Sequence, residues 1–275
     1  EDAVREARRL AEQDDEKAQC FLGYAYYYGV GVATNYNQAS YWFQKSATNG
    51  FPEGEVRFGR MLLFGDAGVT NAPEAIKLFD SASKKGSPAA WFYLGFCHEF
   101  GRGVATNYSE AARYYELAEA DHYAPAMCHL ANLYERGLGR PRDLDRSFQL
   151  NRQAARQEFP LALFNVGVSY ARGHGVTQDF AEAAKWYRRA AVLGDIRAMH
   201  NLGNALMNGR GVAEDYVEAV KWLQVSADAG VLQSKEAVGL LVVSKQVPGD
   251  RKAAFKGVEE AAAHPGSPAA RFLSG

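Results

Sequence analysis

Histidine, cysteine and paired carboxylates are the side chains that most often carry catalysis or bind metals, and this chain arranges few of them suitably. No two histidines are spaced i, i+4 as in an HExxH zinc site. Cys97-His98 and Cys128-His129 are sequence neighbours, but adjacent residues of a helix point to different faces and make poor metal ligands. A GxSxG nucleophile motif is also missing. We therefore expect no metal site, no cofactor and no catalytic residue.

The regularly spaced acidic residues have a structural explanation instead. An Asn or Asp is followed three positions later by Gln or Glu in five of six cases, starting from Asn35, Asn71, Asn107, Asp143, Asp179 and Asp215. In such a capping box the first side chain accepts a hydrogen bond from the N3 amide, and the second reaches back to the N-cap amide. Each pair therefore predicts the start of a helix and not an acid–base pair.

These helix starts belong to a 36-residue repeat. The small residue that opens each unit falls at Ala18, Gly54, Ala90, Ala126, Ala162, Ala198, Ser234 and Ala270. Ala18, Leu22 and Tyr26 show the i, i+4, i+8 spacing of a first helix. Glycine pairs such as Gly29 and Gly31 predict a turn at positive φ, and no Lys-Ser/Thr follows them as in a phosphate loop. The second helix then runs from its cap to a C′ glycine, at Gly50, Gly86, Gly194, Gly230 and Gly266.

Composition narrows the classes of partner. The 31 basic and 32 acidic residues give a net charge of −1, without the basic excess that nucleic acid or an anionic membrane surface requires. No apolar run reaches the roughly 18 residues of a membrane span, so we expect no membrane insertion. Cys20, Cys97 and Cys128 form no CxxC pair, which excludes a dense disulfide framework.

The chain starts at Glu1 without a signal-peptide segment, as expected of a mature or excised form. Its Ala, Gly and Arg content favours a bacterial source, periplasmic or secreted, with the cytoplasm as the alternative.

With LG, Tyr, GxGV, Asp or Asn, AxxWY and AAxxG in one period, the sequence resembles the Sel1-like repeat family, a relative of the tetratricopeptide repeats. The resemblance implies one domain over residues 1–275: a half-repeat at 1–15, units opening near 18, 54, 90, 126, 162 and 198, a degenerate unit at 234–269 and a stub at 270–275. It implies an all-α, right-handed superhelical α/α solenoid with a concave groove, working as a scaffold or adaptor for a protein or peptide. The incomplete terminal repeats suggest self-association. Hydrolysis of cell-wall or β-lactam substrates, ascribed to some relatives, is the alternative.

First-helix positions that vary between units are expected to line the groove, by analogy with tetratricopeptide repeats. The predicted partner-binding residues are Tyr24, Tyr27, Tyr28, Phe64, Phe92, Phe96, Phe100, His129, Asn132, Arg136, Asn165, Arg172, His200, Asn204 and Asn208. They are aromatic in the N-terminal half and polar or basic in the C-terminal half, which suits a segment that is apolar at one end and acidic or polar at the other. The alternative is that aromatic residues such as Tyr28, Phe96 and Phe100 fill the seams between units.

Overall fold

The computed structural model describes residues 2–244, and over this range the chain forms fourteen α-helices and no strand. It divides into two compact units, the first ending at Arg142 and the second beginning at Asp143. The first unit contains α1 (Asp2–Ala11), α2 (Glu16–Tyr28), α3 (Tyr36–Thr48), α4 (Pro52–Phe64), α5 (Ala72–Lys84), α6 (Pro88–Phe100), α7 (Tyr108–Ala120) and α8 (Ala124–Arg136). The second contains α9 (Leu144–Ala155), α10 (Pro160–Arg172), α11 (Phe180–Val192), α12 (Ile196–Met207), α13 (Tyr216–Asp228) and α14 (Leu232–Val243).

Within each unit every helix packs against the next one along the chain, so the predicted all-α fold of stacked helix pairs is confirmed. That residues 1–275 form a single domain stays a prediction. The end of the degenerate unit and the stub lie outside the described residues. None of the helices between residues 2 and 244 combines the length and the apolarity needed to cross a membrane.

In five helix pairs a glycine of the first helix faces a large side chain of the second, at Gly23, Gly59, Gly95, Gly167 and Gly203. In the first unit a methyl group on Gly95 would lie 2.6 Å from the ring of Tyr115, which is fully buried. In the second unit Gly203 faces Leu223 in the same way, at 2.5 Å. The glycine allows a close approach that an alanine would prevent. The approach buries the facing side chain, and burying a side chain of this size stabilises the fold by about 2 kcal/mol.

The predicted N-caps are confirmed, but half of the capping box is wrong. The Asn35 side chain accepts from the amide of Gln38 at 3.0 Å, and the five other predicted caps do the same. The second side chain does not reach back, because the Asn35 amide already donates to the carbonyl of Tyr26 at 2.8 Å. Asn71, Asn107, Asp179 and Asp215 also donate their amides to the preceding helix. The Glu three positions after the N-cap is left to form ion pairs, as Glu110 does with Arg113.

The glycine pairs adopt positive φ as predicted, and the second glycine of a pair has an additional role. Gly139 lies against the first residues of α7 in the preceding repeat, where a methyl group would be 2.6 Å from the amide nitrogen of Ser109. Gly211 has the same relation to the start of α11 in the second unit. The turn glycine therefore sets the distance between successive repeats, as well as reversing the chain.

Candidate functional site

The last residue of a first helix is exposed in every repeat of the first unit. Tyr28 ends α2, Phe64 ends α4 and Phe100 ends α6, with 59%, 45% and 50% of their surface exposed. We call these three side chains the aromatic rim. Each is followed by a glycine in the left-handed conformation, which turns the chain away and leaves the last side chain without a covering helix. Asn132 and Arg136, on the same helix α8, are also exposed.

Half-buried aromatic residues support the rim from behind. The ring of Phe96 lies 4.5 Å from that of Phe100 and 5.6 Å from that of Phe64. Tyr28 is stacked on Tyr24 at 5.9 Å. In agreement with the seam interpretation, Phe96 packs between two repeats, whereas the rim residues themselves keep about half of their surface exposed.

Tyr24 and Tyr27 use their hydroxyl groups inside the first unit. The Tyr24 hydroxyl donates to Glu53 at 2.9 Å, and Arg57 donates to the same carboxylate oxygen at 2.6 Å. Tyr27 donates to Asp66 at 3.0 Å. Burial raises the pKa of both tyrosines, so both remain protonated donors. These acidic and basic partners could not be predicted from the sequence, because they occur in single repeats and carry no recurring signal.

His129 also turns inward, into a cluster with Glu99 and Tyr115. The Tyr115 hydroxyl donates to a Glu99 carboxylate oxygen at 2.6 Å, and His129 Nδ1 lies 2.8 Å from that same oxygen. Glu99 is buried, and Phe92 packs edge-on against the imidazole at 5.3 Å. The cluster satisfies a buried carboxylate with two donors, which is what its burial requires.

The groups that could act as nucleophiles or hold metals give no support to a catalytic site. Burial raises the pKa of the Cys20 and Cys97 thiols to about 12, so neither provides the thiolate that a nucleophile needs. Among residues 2–244 no three His, Cys, Asp or Glu side chains stand close enough to hold a metal ion.

In the second unit a hydrogen-bonded chain fixes two of the predicted residues. The amide of Asn204 donates to Nε2 of His200 at 2.8 Å, and Nδ1 of His200 then donates to the hydroxyl of Ser234 at 2.7 Å. Burial lowers the pKa of His200, consistent with the neutral ring that this arrangement needs. Asn165 is held separately, by a bond of 3.0 Å from its amide to Asn151.

The same unit contains a cavity of about 400 Å³ between α10, α11 and α12. It brings together the predicted residues Arg172, Asn204 and Asn208 with Arg210. Arg210 was not among the predicted residues, because it stands between Gly209 and Gly211, a glycine pair that predicts only a turn. That the fifteen predicted residues line one concave groove stays a prediction.

Consecutive helix pairs of constant length, with variable side chains at the ends of the first helices, define a helical-repeat protein. The Sel1 repeat model matches residues 16–51, 52–87, 88–121, 124–159, 160–195 and 196–231, and the chain belongs to the Sel1 repeat family. Proteins of this family generally act as scaffolds for protein interactions and are typically not enzymes. No curated protein matches the chain.

Three bacterial proteins of solved structure illustrate the similarity. A protective antigen of uropathogenic Escherichia coli with an SLR fold is 26% identical, with a TM-score of 0.75 over 94% of this chain. This chain spans only 56% of the length of that antigen. A Sel1 repeat protein from Oxalobacter formigenes is 27% identical, with a TM-score of 0.71, over 98% of this chain and 79% of its own. An immunity protein from Pseudomonas aeruginosa, at 22% identity and a TM-score of 0.51, shares the fold over 69% of this chain and 73% of its own.

Proposed function

We propose that this protein is a scaffold that binds a partner protein, and that the aromatic rim of the first unit is a main contact. The observation that carries the proposal is the recurrence of a half-exposed ring at one repeat position, in Tyr28, Phe64 and Phe100. Aromatic residues are enriched among the side chains that dominate binding energy. About half of each ring stays in solvent, and this exposed half contributes nothing to folding.

The rim is also prepared for binding. Phe96 restricts the rings of Phe64 and Phe100, and Tyr24 restricts that of Tyr28. A side chain that is already held loses less conformational entropy when a partner covers it. Beside Tyr28 the charges of Arg57 and Arg60 are neutralised by Glu53 and Asp66. We therefore expect the rim to take an apolar segment of the partner and not a highly charged one.

The proposal is tested by replacing two rim residues and two matched residues elsewhere. Phe64→Ser with Phe100→Ser removes two rim rings, while Tyr41→Ser with Leu117→Ser removes side chains of similar exposure from second helices, at 45% and 38%. Immobilised wild type and both variants are used to capture proteins from the source organism, which are then quantified by mass spectrometry. Circular dichroism shows whether each variant keeps its helices.

We expect the rim variant to capture at least about tenfold less partner than the wild type. The second-helix variant should capture as much partner as the wild type. Equal capture by the rim variant and the wild type would show that the rim is not the contact. A partner lost only from the second-helix variant would place the binding surface on the opposite helices.

A further inference from the structure

We propose that the cavity bounded by Arg172 and Arg210 in the second unit binds a carboxylate of a partner peptide. This inference rests on the proposed role as a protein-binding scaffold and adds a contact of different chemistry. The carboxylate is either an Asp or Glu side chain or the C-terminus of the partner.

The first argument is uncompensated positive charge. Both arginines are exposed and line the cavity, and no acidic side chain lines it. Neither arginine is paired with a carboxylate anywhere in residues 2–244, whereas Arg188 and Arg197 of the same unit are paired with Glu218 and Asp195. Two guanidinium groups that face one cavity without an acid attract an anionic group from outside.

The second argument is the orientation of the donors. The guanidinium of Arg210 lies over the ring of Phe180, 3.8 Å from its centroid. Such stacking restrains the guanidinium plane and leaves its N–H edge available for a two-point bond to a carboxylate. Tyr187 lines the cavity as well. Burial raises its pKa although a hydrogen bond with Asn201 and the charges of Arg172 and Arg210 act in the opposite direction, so its hydroxyl remains a donor.

The third argument distinguishes a peptide from a simple anion. The Asn204 amide group donates to His200 at 2.8 Å, and the Asn208 amide group donates to the Asn204 backbone carbonyl at 2.7 Å. One N–H of each amide is engaged in these bonds, and the side-chain oxygens of both asparagines remain as acceptors at the cavity. Guanidinium donors beside amide acceptors complement a carboxylate that has a peptide N–H next to it. A bare phosphate or sulfate would leave those acceptors without a donor.

The test uses random peptides displayed on phage, with free C-termini in one library and internal positions in another, selected on the full chain. Selected peptides are synthesised with a fluorophore in their acidic form, with the C-terminus amidated, and with Asp and Glu changed to Asn and Gln. Dissociation constants are measured by fluorescence polarisation on the wild type and on Arg172→Gln with Arg210→Gln. Arg152→Gln with Arg156→Gln is the control, since it removes the same charge from exposed sites of the same unit.

We expect the acidic form to bind the pocket variant at least about tenfold more weakly than the wild type, and the control variant to bind like the wild type. One of the two amide forms should bind the wild type more weakly than the acidic form does, by the same factor. That form should bind the pocket variant no more weakly than it binds the wild type. The form that loses affinity identifies the source of the carboxylate. Thermal melts of all variants show whether the fold is retained.

Two results would overturn the inference. Selected peptides that bind the pocket variant as tightly as the wild type would remove the carboxylate site and leave the scaffold role standing. Amide forms that bind the wild type as tightly as the acid would do the same. A failure to select any peptide, together with no partner captured by the immobilised wild type, would instead overturn both this inference and the proposed function.

Discussion

The close approach of successive repeats can be tested by comparing two glycines of the second unit that share a left-handed backbone. Gly194 has a φ of +91°, and nothing lies within 4 Å of the position that a methyl group would occupy. Gly211 has a φ of +78°, and a methyl group there would lie 2.6 Å from the amide nitrogen of Ala181 and still closer to the carbonyl of Phe180. Alanine at Gly194 therefore introduces only backbone strain, while alanine at Gly211 introduces strain and a collision with backbone.

The expected magnitudes differ accordingly. The left-handed conformation costs an alanine about 1–2 kcal/mol, and the smaller freedom of the unfolded alanine chain returns roughly 0.5 kcal/mol or more. We expect Gly194→Ala to lower the free energy of unfolding by about 1 kcal/mol. For Gly211→Ala the first turn of α11 must move by a substantial fraction of an ångström, and overpacking of this kind adds about 1–3 kcal/mol. We therefore expect a total loss of about 2–4 kcal/mol.

The free energies are measured by urea unfolding followed by far-ultraviolet circular dichroism, with hydrogen–deuterium exchange to locate the effect. Repeat arrays can unfold in parts, so the local readout matters. Gly211→Ala should speed amide exchange in α11 and α12, whereas Gly194→Ala should act only around its own turn. A Gly211→Ala loss within about 0.5 kcal/mol of the Gly194→Ala loss would refute the idea that the second turn glycine sets the repeat spacing, because that is the usual size of an ordinary surface change.

Three further predictions follow from single contacts. Glu158 has a φ of +55° at the repeat position of Gly194. Glu158→Gly should therefore stabilise the protein by about 0.5–1 kcal/mol in urea unfolding, although it removes an exposed ion pair with Arg189. Glu158→Ala keeps the backbone strain and should show no gain. Burial lowers the pKa of His200, so the unfolded state takes up the proton first, and stability should fall as the pH drops below about 6.5. Urea midpoints of His200→Gln over the same range should change less with pH than those of the wild type. Gly203→Ala should be less damaging in a Leu223→Ala background than in the wild type, by about 1 kcal/mol in a double-mutant cycle, because the truncation removes the side chain that the new methyl group meets.

Helix starts and turns could be predicted because local chemistry determines them. The Asn35 side chain caps α3 by accepting a hydrogen bond from a backbone amide only three residues later, and glycine marks the left-handed turn. The reciprocal half of the capping box could not be predicted, because the Asn35 amide is satisfied by the carbonyl of Tyr26. That bond depends on how the turn folds back on the preceding helix. The left-handed backbone at His122 and Glu158 is marked by no residue type, and only the repeat position of Gly194 indicates it.

The candidate site was predictable to a smaller extent. Exposure of Phe64 and Phe100 follows from their position at the end of a first helix, immediately before the turn. The inward orientation of His129 depends on Glu99, which belongs to the preceding repeat. A repeat consensus contains no such contact, because it averages over units whose side-chain partners differ. Arg210 was overlooked since its flanking glycines carry a strong turn signal of their own.

The constant turn and the variable helix end explain how one fold can present different surfaces. The glycine that follows α2, α4, α6, α8 and α10 fixes the chain direction, and the second turn glycine fixes the distance to the neighbouring repeat. The residue before them, aromatic in Phe100 and cationic in Arg136 and Arg172, remains exposed and takes no part in either constraint. Substitution there changes the surface that a partner meets while the helix packing is maintained by glycine and alanine. Under the scaffold role proposed above, binding specificity would change repeat by repeat, at positions where stability changes least.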